Sequence, residues 1–464
     1  MGVTASIIGN PSRPYNCGTV AALTSANFQL SGLVGTENFT VNQTVGAYNS
    51  KDVVSANTVT ASLSTGDFAG TNGGITSSYV LPTSVSGAGQ ITPVNAVISV
   101  TAYTSVTTIY NCLPHTATGS ATGCDGNLGS LLDLSGTTHT NAGTYNGDQW
   151  TFNAGSTNPN YNSTSGTVDD SIAKANATIT VNPYQVTYDC NPHTSTGSAT
   201  GVCSDSLTSL LHLPASHTDA GDYPSDGWTF DGNTNYNATS GTVHNQIDKA
   251  NTASSVASTV NPSTIGQPVT FTATVAGNPA VTCKPTGTVT FKDGTTTIGT
   301  GTLNGIGQTT FTTSTLSAGS HSIKVVYGAD SNFNGSTSSV LTQSVQYTFV
   351  GFLPPIDNLP ILNTSKAGQT IPVKWQLKDY NGNLIGDLST LAPNGLGSQP
   401  IACDTHDPLD DIEELSAPGA TVFRFDGTQF IYNWQTSKPW ANTCRLLVVT
   451  LADGTVHTAQ FKFK

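Results

Sequence analysis

Tyr110-Asn111-Cys112-Leu113-Pro114-His115-Thr116, followed by Gly123-Cys124, returns as Tyr188-Asp189-Cys190-Asn191-Pro192-His193-Thr194, followed by Val202-Cys203. The second copy begins 78 positions after the first, and the same offset relates His139 to His217, Gly143 to Gly221 and Trp150 to Trp228. After a short deletion the offset becomes 75, relating Tyr161 to Tyr236 and Lys174 to Lys249. A tandem repeat of this length, with two cysteines per unit, predicts a string of small β domains rather than one large core.

The composition agrees. Charged residues make up 9% of the 464, while apolar residues still reach 36% and 5 Trp, 15 Tyr and 16 Phe are spread along the chain. That is too much apolar surface for disorder. Abundant Thr, Val, Gly and Asn suit short strands and tight turns. The expected fold is all-β: a tandem array of small β-sandwich domains forming an elongated rod. A formal charge of -13 and a pI of about 4.8 argue against nucleic acid, which needs clustered Lys and Arg. No run of 18 apolar residues predicts membrane insertion. The N-terminus has no basic segment leading into an apolar one, so it does not read as a signal peptide. A Gly2 myristoylation pattern with Ser6 competes, but disulfide-type cysteines point away from the cytosol. The chain reads as a mature or excised piece of an exported protein, extracellular or on the cell surface.

Eight cysteines suggest a disulfide framework. The short spacings favour Cys112–Cys124 and Cys190–Cys203, each closing a loop worth about 3 kcal/mol. Cys403–Cys444 is the expected pair near the C-terminus. Cys17 and Cys283 are left over, either as two buried thiols or as an intermolecular Cys17–Cys283 bond, which repeated head to tail would build an open filament.

Further motifs divide the chain. In 1–93, Tyr15-Asn16-Cys17 and Gly46-Ala47-Tyr48 resemble the bacterial YDG domain. Units 94–176 and 177–251 resemble MBG-type domains of bacterial surface proteins over Tyr110 to Gly119, Thr140 to Tyr145 and Asn160 to Lys174, with Cys112 and Cys190 where that family usually has glycine. Their connectors, Ala173-Lys174-Ala175-Asn176 and Asp248-Lys249-Ala250-Asn251, contain neither Gly nor Pro, which predicts limited bending. In 252–345, Gly287-Thr288-Val289-Thr290-Phe291-Lys292-Asp293-Gly294 and Leu316 through Tyr327 resemble bacterial immunoglobulin-like repeats, implying a sandwich of about seven strands. In 346–464, Lys366-Ala367-Gly368-Gln369-Thr370-Ile371-Pro372-Val373-Lys374-Trp375 and the closing Phe461-Lys462-Phe463-Lys464 resemble the PxKF domain. The resemblances imply an extracellular setting and no defined activity.

Signs of chemistry are sparse. His115 and His193, like His139 and His217, recur at equivalent places, as a structural hydrogen bond would and a catalytic site would not. There is no zinc-protease, nucleophile-elbow or phosphate-loop motif, so no enzyme is expected. Trp150 and Trp228 read as core aromatics, with a sugar-stacking platform as the alternative. Asp404, Asp407, Asp410, Asp411, Glu413 and Glu414 form an acidic run that could hold Ca2+ or stand as a solvated loop. Lys174, Lys249 and Lys374 are conceivable isopeptide donors. Asn162 and Asn237 lie in Asn-x-Ser/Thr sequons. Two functions remain. One is a non-enzymatic, semi-rigid stalk or fibre subunit, self-associating or part of a larger surface protein, in which five domains in line would span roughly 150–200 Å. The other is an adhesin binding a glycan or host-surface ligand through terminal-domain loops.

Overall fold

The computed structural model describes residues 1–415 and 422–464. It is all-β: among the described residues there are strands, turns and short 3-10 segments, and no α-helix. The chain forms two compact units. The first comprises 1–182, 196–213 and 227–242; the second comprises 183–195, 214–226 and 243–464. The sequence repeat 177–251 is therefore shared between two compact bodies.

In the first unit, strands Val20–Ala22, Val45–Tyr48, Thr58–Ser62 and Ser84–Ala88 form one antiparallel sheet in that order. Alternation decides its inner face. In Thr58–Ser62 only Val59 and Ala61 are buried, because side chains two apart share a face. They join Ile7, Tyr15, Phe39, Val41 and Tyr48 in one core, and that core continues into Ala121, Leu128, Phe152 and Tyr161 of the following segment. Phe152 belongs to a long hairpin, Gly143–Phe152 with Thr164–Ile172, and Ala121 to the pair Val97–Thr101 with Thr118–Gly123, while Tyr161 bridges to Val94. The hairpin register shifts between Tyr145 and Asp148, where Gly147 takes φ +75, a conformation glycine enters freely. Trp150 lies opposite Gly166, and a Cβ on Gly166 would come within 2.5 Å of its ring. Trp228 covers Gly241 in the same way. Both tryptophans are thus packed on a backbone platform that only glycine leaves open.

In the second unit, Thr252–Ser258, Val269–Gly277 and Gln308–Thr313 form one sheet. The other contains Ser263–Thr264, Leu341–Gln346, Gly319–Tyr327, Thr288–Asp293 and Thr296–Thr302. Every second residue of Val269–Gly277 is buried, and Phe271, Val275, Phe291, Val325 and Tyr327 fill the core. The last segment builds two further sheets around Trp375, Phe430, Trp434, Leu447 and Phe461.

Candidate functional site, a joint built three times

Three triplets begin the site: Tyr15-Asn16-Cys17, Tyr110-Asn111-Cys112 and Tyr188-Asp189-Cys190. In each, the middle side chain accepts the backbone N–H two residues on: Asn16 from Gly18 at 3.1 Å, Asn111 from Leu113 at 3.0 Å, Asp189 from Asn191 at 2.9 Å. This local turn places the cysteine at φ +63, +71 and +73. The left-handed conformation costs an L-residue roughly 1–2 kcal/mol. The Asp189 carboxyl is held down at about 2, by the Asn191 backbone and amide donors first and by His193 in addition.

Each cysteine is bonded to the next segment along the chain. The pairs are Cys17–Cys124, Cys112–Cys203 and Cys190–Cys283, with Cα–Cα distances of 5.9, 6.1 and 6.1 Å, inside the usual disulfide range. This corrects the local pairs Cys112–Cys124 and Cys190–Cys203. The two cysteines of one repeat serve different joints, one reaching forward and one receiving. It also corrects both readings of Cys17 and Cys283, since no described cysteine is free. Cys403 and Cys444 are bonded to each other, with Cα atoms 5.1 Å apart.

Beside each disulfide sits a second triplet: Asn160-Tyr161-Asn162, Asn235-Tyr236-Asn237 and Asn332-Phe333-Asn334. The central aromatic is 3%, 1% and 2% exposed. It meets the tyrosine of the partner triplet edge-on, with Tyr15–Tyr161, Tyr110–Tyr236 and Tyr188–Phe333 centroids 5.6, 5.5 and 5.3 Å apart. That is the geometry aromatic quadrupoles favour. The backbone bridges to Val94, Ala175 and Ala250. Thus Asn237 N donates to Ala175 O and Ala175 N donates to Asn235 O, both at 2.9 Å.

The flanking asparagines finish the joint. The first accepts a backbone N–H through its side chain, from Val53, Ala142 and Ala220, each at 2.8 Å. The second donates its amide to Asn95, Asn176 and Asn251 at 2.8, 2.8 and 2.9 Å. The sequon residues Asn162 and Asn237 therefore spend their amide nitrogens on the joint, as does Asn334 of Asn334-Gly335-Ser336. Lys174 donates to Asn233 O at 2.6 Å and Lys249 to Asp330 O at 2.5 Å. Both meet carbonyl oxygens, not the side-chain amide an isopeptide requires. Pro93 stands in the lysine's place in the first joint.

The remaining predicted residues fall outside this arrangement. His115 and His139 exchange two backbone hydrogen bonds, as do His193 and His217. His139 stacks on Tyr145 and His217 on Tyr223, and each imidazole bonds an aspartate, Asp148 or Asp226. These are tethers. Asp404, Asp407, Asp410, Asp411, Glu413 and Glu414 are exposed, and among the described residues no three of them converge on one point. Glu413 instead pairs with Arg445, whose guanidinium lies 3.9 Å over the Trp440 ring. The described residues that do converge are Cys17, Cys124 and Asp125, but both sulfurs are committed to a disulfide, and Asp125 accepts from Tyr15 at 2.9 Å.

A sequence signal for the pairing exists. Segment 1–93 has a Tyr-x-Cys triplet and no second cysteine, while 252–345 has a receiving cysteine and no triplet. Pairing each triplet with the following segment uses all six cysteines.

Residues 256–346 match the family model of the bacterial Ig-like domain, group 3. No curated protein matches the chain. Among solved structures, a putative membrane anchored protein from Corynebacterium diphtheriae aligns at 12% identity over 52% of this chain and 69% of that one, with a TM-score of 0.19. The N-terminal eight Ig domains of Down Syndrome Cell Adhesion Molecule align at 9% identity over 100% and 60%, with a TM-score of 0.24. The ICAM-5 D1-D4 fragment aligns at 11% over 62% and 78%, with a TM-score of 0.28. The chain spans 60% of the second structure, and at these TM-scores the likenesses say nothing about what the chain does.

Proposed function

We propose that this chain is a non-enzymatic, exported stalk segment whose successive domains are locked by covalent joints. One observation carries the reading: the same joint is assembled three times, each with a disulfide, an edge-on aromatic pair and an asparagine clamp. On this reading each of the three disulfides spans a boundary expected from the sequence repeats, where it resists bending and separation, as a spacer requires. Disulfides persist in oxidising compartments, which supports a place outside the cytosol. The reading of 1–93, 94–176, 177–251 and 346–464 as YDG-, MBG- and PxKF-like domains belongs to this proposal. The final segment is joined differently. Its Tyr380 N donates to Ile265 O at 2.9 Å, and its Cys403–Cys444 bond is internal.

Small-angle scattering of the full chain, oxidised and after reduction, tests the proposal. Reduction should broaden the distance distribution while leaving β content unchanged. A distribution indifferent to reduction would remove the case for a stiffened spacer.

A further inference from the structure

Asp170 and Asn245 occupy equivalent places in the two repeats, 75 positions apart as Lys174 is from Lys249. Both are 0% exposed. Each accepts a backbone N–H through Oδ1, Asp170 from Tyr103 at 3.0 Å and Asn245 from Tyr184 at 3.1 Å. The other end differs. Asn245 donates its Nδ2 to Asp226 Oδ2 at 2.7 Å, and Asp226 holds His217. In the first repeat the same role toward His139 is taken by Asp148, and the atom in the place of Nδ2 is Asp170 Oδ2, which is buried with no hydrogen-bond partner. Asp170 is nonetheless within hydrogen-bonding reach of the Asp148 carboxyl. Two carboxylate oxygens facing each other out of water repel unless one carries a proton. The second donor to Asn245, Ser195 Oγ at 3.0 Å, is also gone, since Ala117 stands there.

We propose that Asp148 and Asp170 are a proton-binding site, one proton being held on Asp170 Oδ2 and donated to Asp148 at neutral pH. Asp170 then does with an O–H what Asn245 does with an amide. The groups facing the pair are His139 on Asp148, Tyr145 stacked on His139, and Tyr103, whose hydroxyl donates to Thr137 O at 3.0 Å. Asp169 is exposed and accepts Gly147 N. Burial raises the Asp170 carboxyl above its usual range, with Asp148 adding to the rise, against the Tyr103 N–H and His139, which lower it. The Tyr103 N–H, held by Asp170 Oδ1, lies at the start of the segment that runs on to Tyr110 and Cys112, so the site sits at the root of the arm of the second joint.

The sign follows from linkage. The folded chain keeps a proton that the unfolded chain releases above about pH 4, so stability falls as pH rises through the window up to the folded value. Asp170→Asn should remove that slope. Relative to the variant, the wild-type unfolding constant should rise by up to about tenfold per pH unit. Asn245→Asp should import the same slope into the second repeat, and serves if Asp170→Asn folds poorly. Infrared spectra of the full chain at pH 7 should show a buried carboxylic-acid C=O stretch that Asp170→Asn abolishes. Parallel pH profiles with no such band would overturn the proposal. So would a wild-type melting rise with CaCl2 or ZnCl2 that Asp170→Asn removes, with no acid band, which would make the pair a cation site.

Discussion

Cys112 is bonded to Cys203, 91 positions downstream, although Cys124 lies only 12 positions away in the sequence. The longer closure stabilises more. On the chain-entropy account a loop of that size contributes about 4.6 kcal/mol, against about 3 kcal/mol for the short one. Two segments of the chain are thereby held together that a local bond would leave independent.

Proteolysis of the unreduced chain followed by mass spectrometry should yield cross-linked peptides joining Cys17 to Cys124, Cys112 to Cys203 and Cys190 to Cys283. Recovery of Cys112 with Cys124 would refute the joint.

Removing one staple as a pair, Cys112→Ala with Cys203→Ala, should destabilise by about 2–5 kcal/mol. In calorimetry the loss should be confined to the transition that includes the second joint. An unchanged thermogram would mean that the noncovalent clamp holds the joint unaided.

That clamp can be probed with the disulfide intact. Tyr236→Ala empties a site 1% exposed and should cost about 3–5 kcal/mol. Tyr236→Phe loses the 2.9 Å bond to Asp205 and the 3.7 Å contact with Cys203 Sγ and should cost about 1 kcal/mol, consistent with Phe333 filling the same place in the third joint. Asn235→Ala strands the buried Ala142 N–H and should cost about 1–3 kcal/mol. Denaturant melts of the three variants check the ranking, and an Asn235 effect equal to zero would exclude the clamp.

Asp189 gives a pH signature at the acid end. Its folded carboxyl sits at about 2, below the unfolded value near 4, so its contribution is present above about pH 4 and lost as pH falls toward 2. Asp189→Asn, which makes the second repeat resemble Asn111 of the first, should flatten the acid limb of stability between those values. Melting temperature followed from pH 5 to 2 would show it, and identical limbs would count against the Asn191 and His193 contacts.

The repeat offset and the strand alternation of segments such as Thr58–Ser62 were readable from residue order, because side-chain burial on a pleated strand is set by neighbours two apart. The immunoglobulin-like character of 252–345 rested on the resemblance of motifs such as Gly287–Gly294 to bacterial immunoglobulin-like repeats, and the family match over 256–346 agrees with it. Trp150 and Trp228 could be read as packed aromatics, although the glycines beneath them, Gly166 and Gly241, come from the opposing strand. The cysteine pairing was not readable from spacing. Loop length ranks partners by sequence distance, while a disulfide requires Cα atoms about 6 Å apart, and only tertiary structure brought Cys112 to Cys203. The same holds for Asn235 with Ala142 and Asp170 with Asp148, whose chemistry depends on what burial places opposite them. The sequence by itself determined a β array with three Tyr-x-Cys triplets. The distribution of cysteines among the segments is consistent with each triplet gripping the next one, but the approach of the Cα atoms to about 6 Å that makes each bond was decided in space.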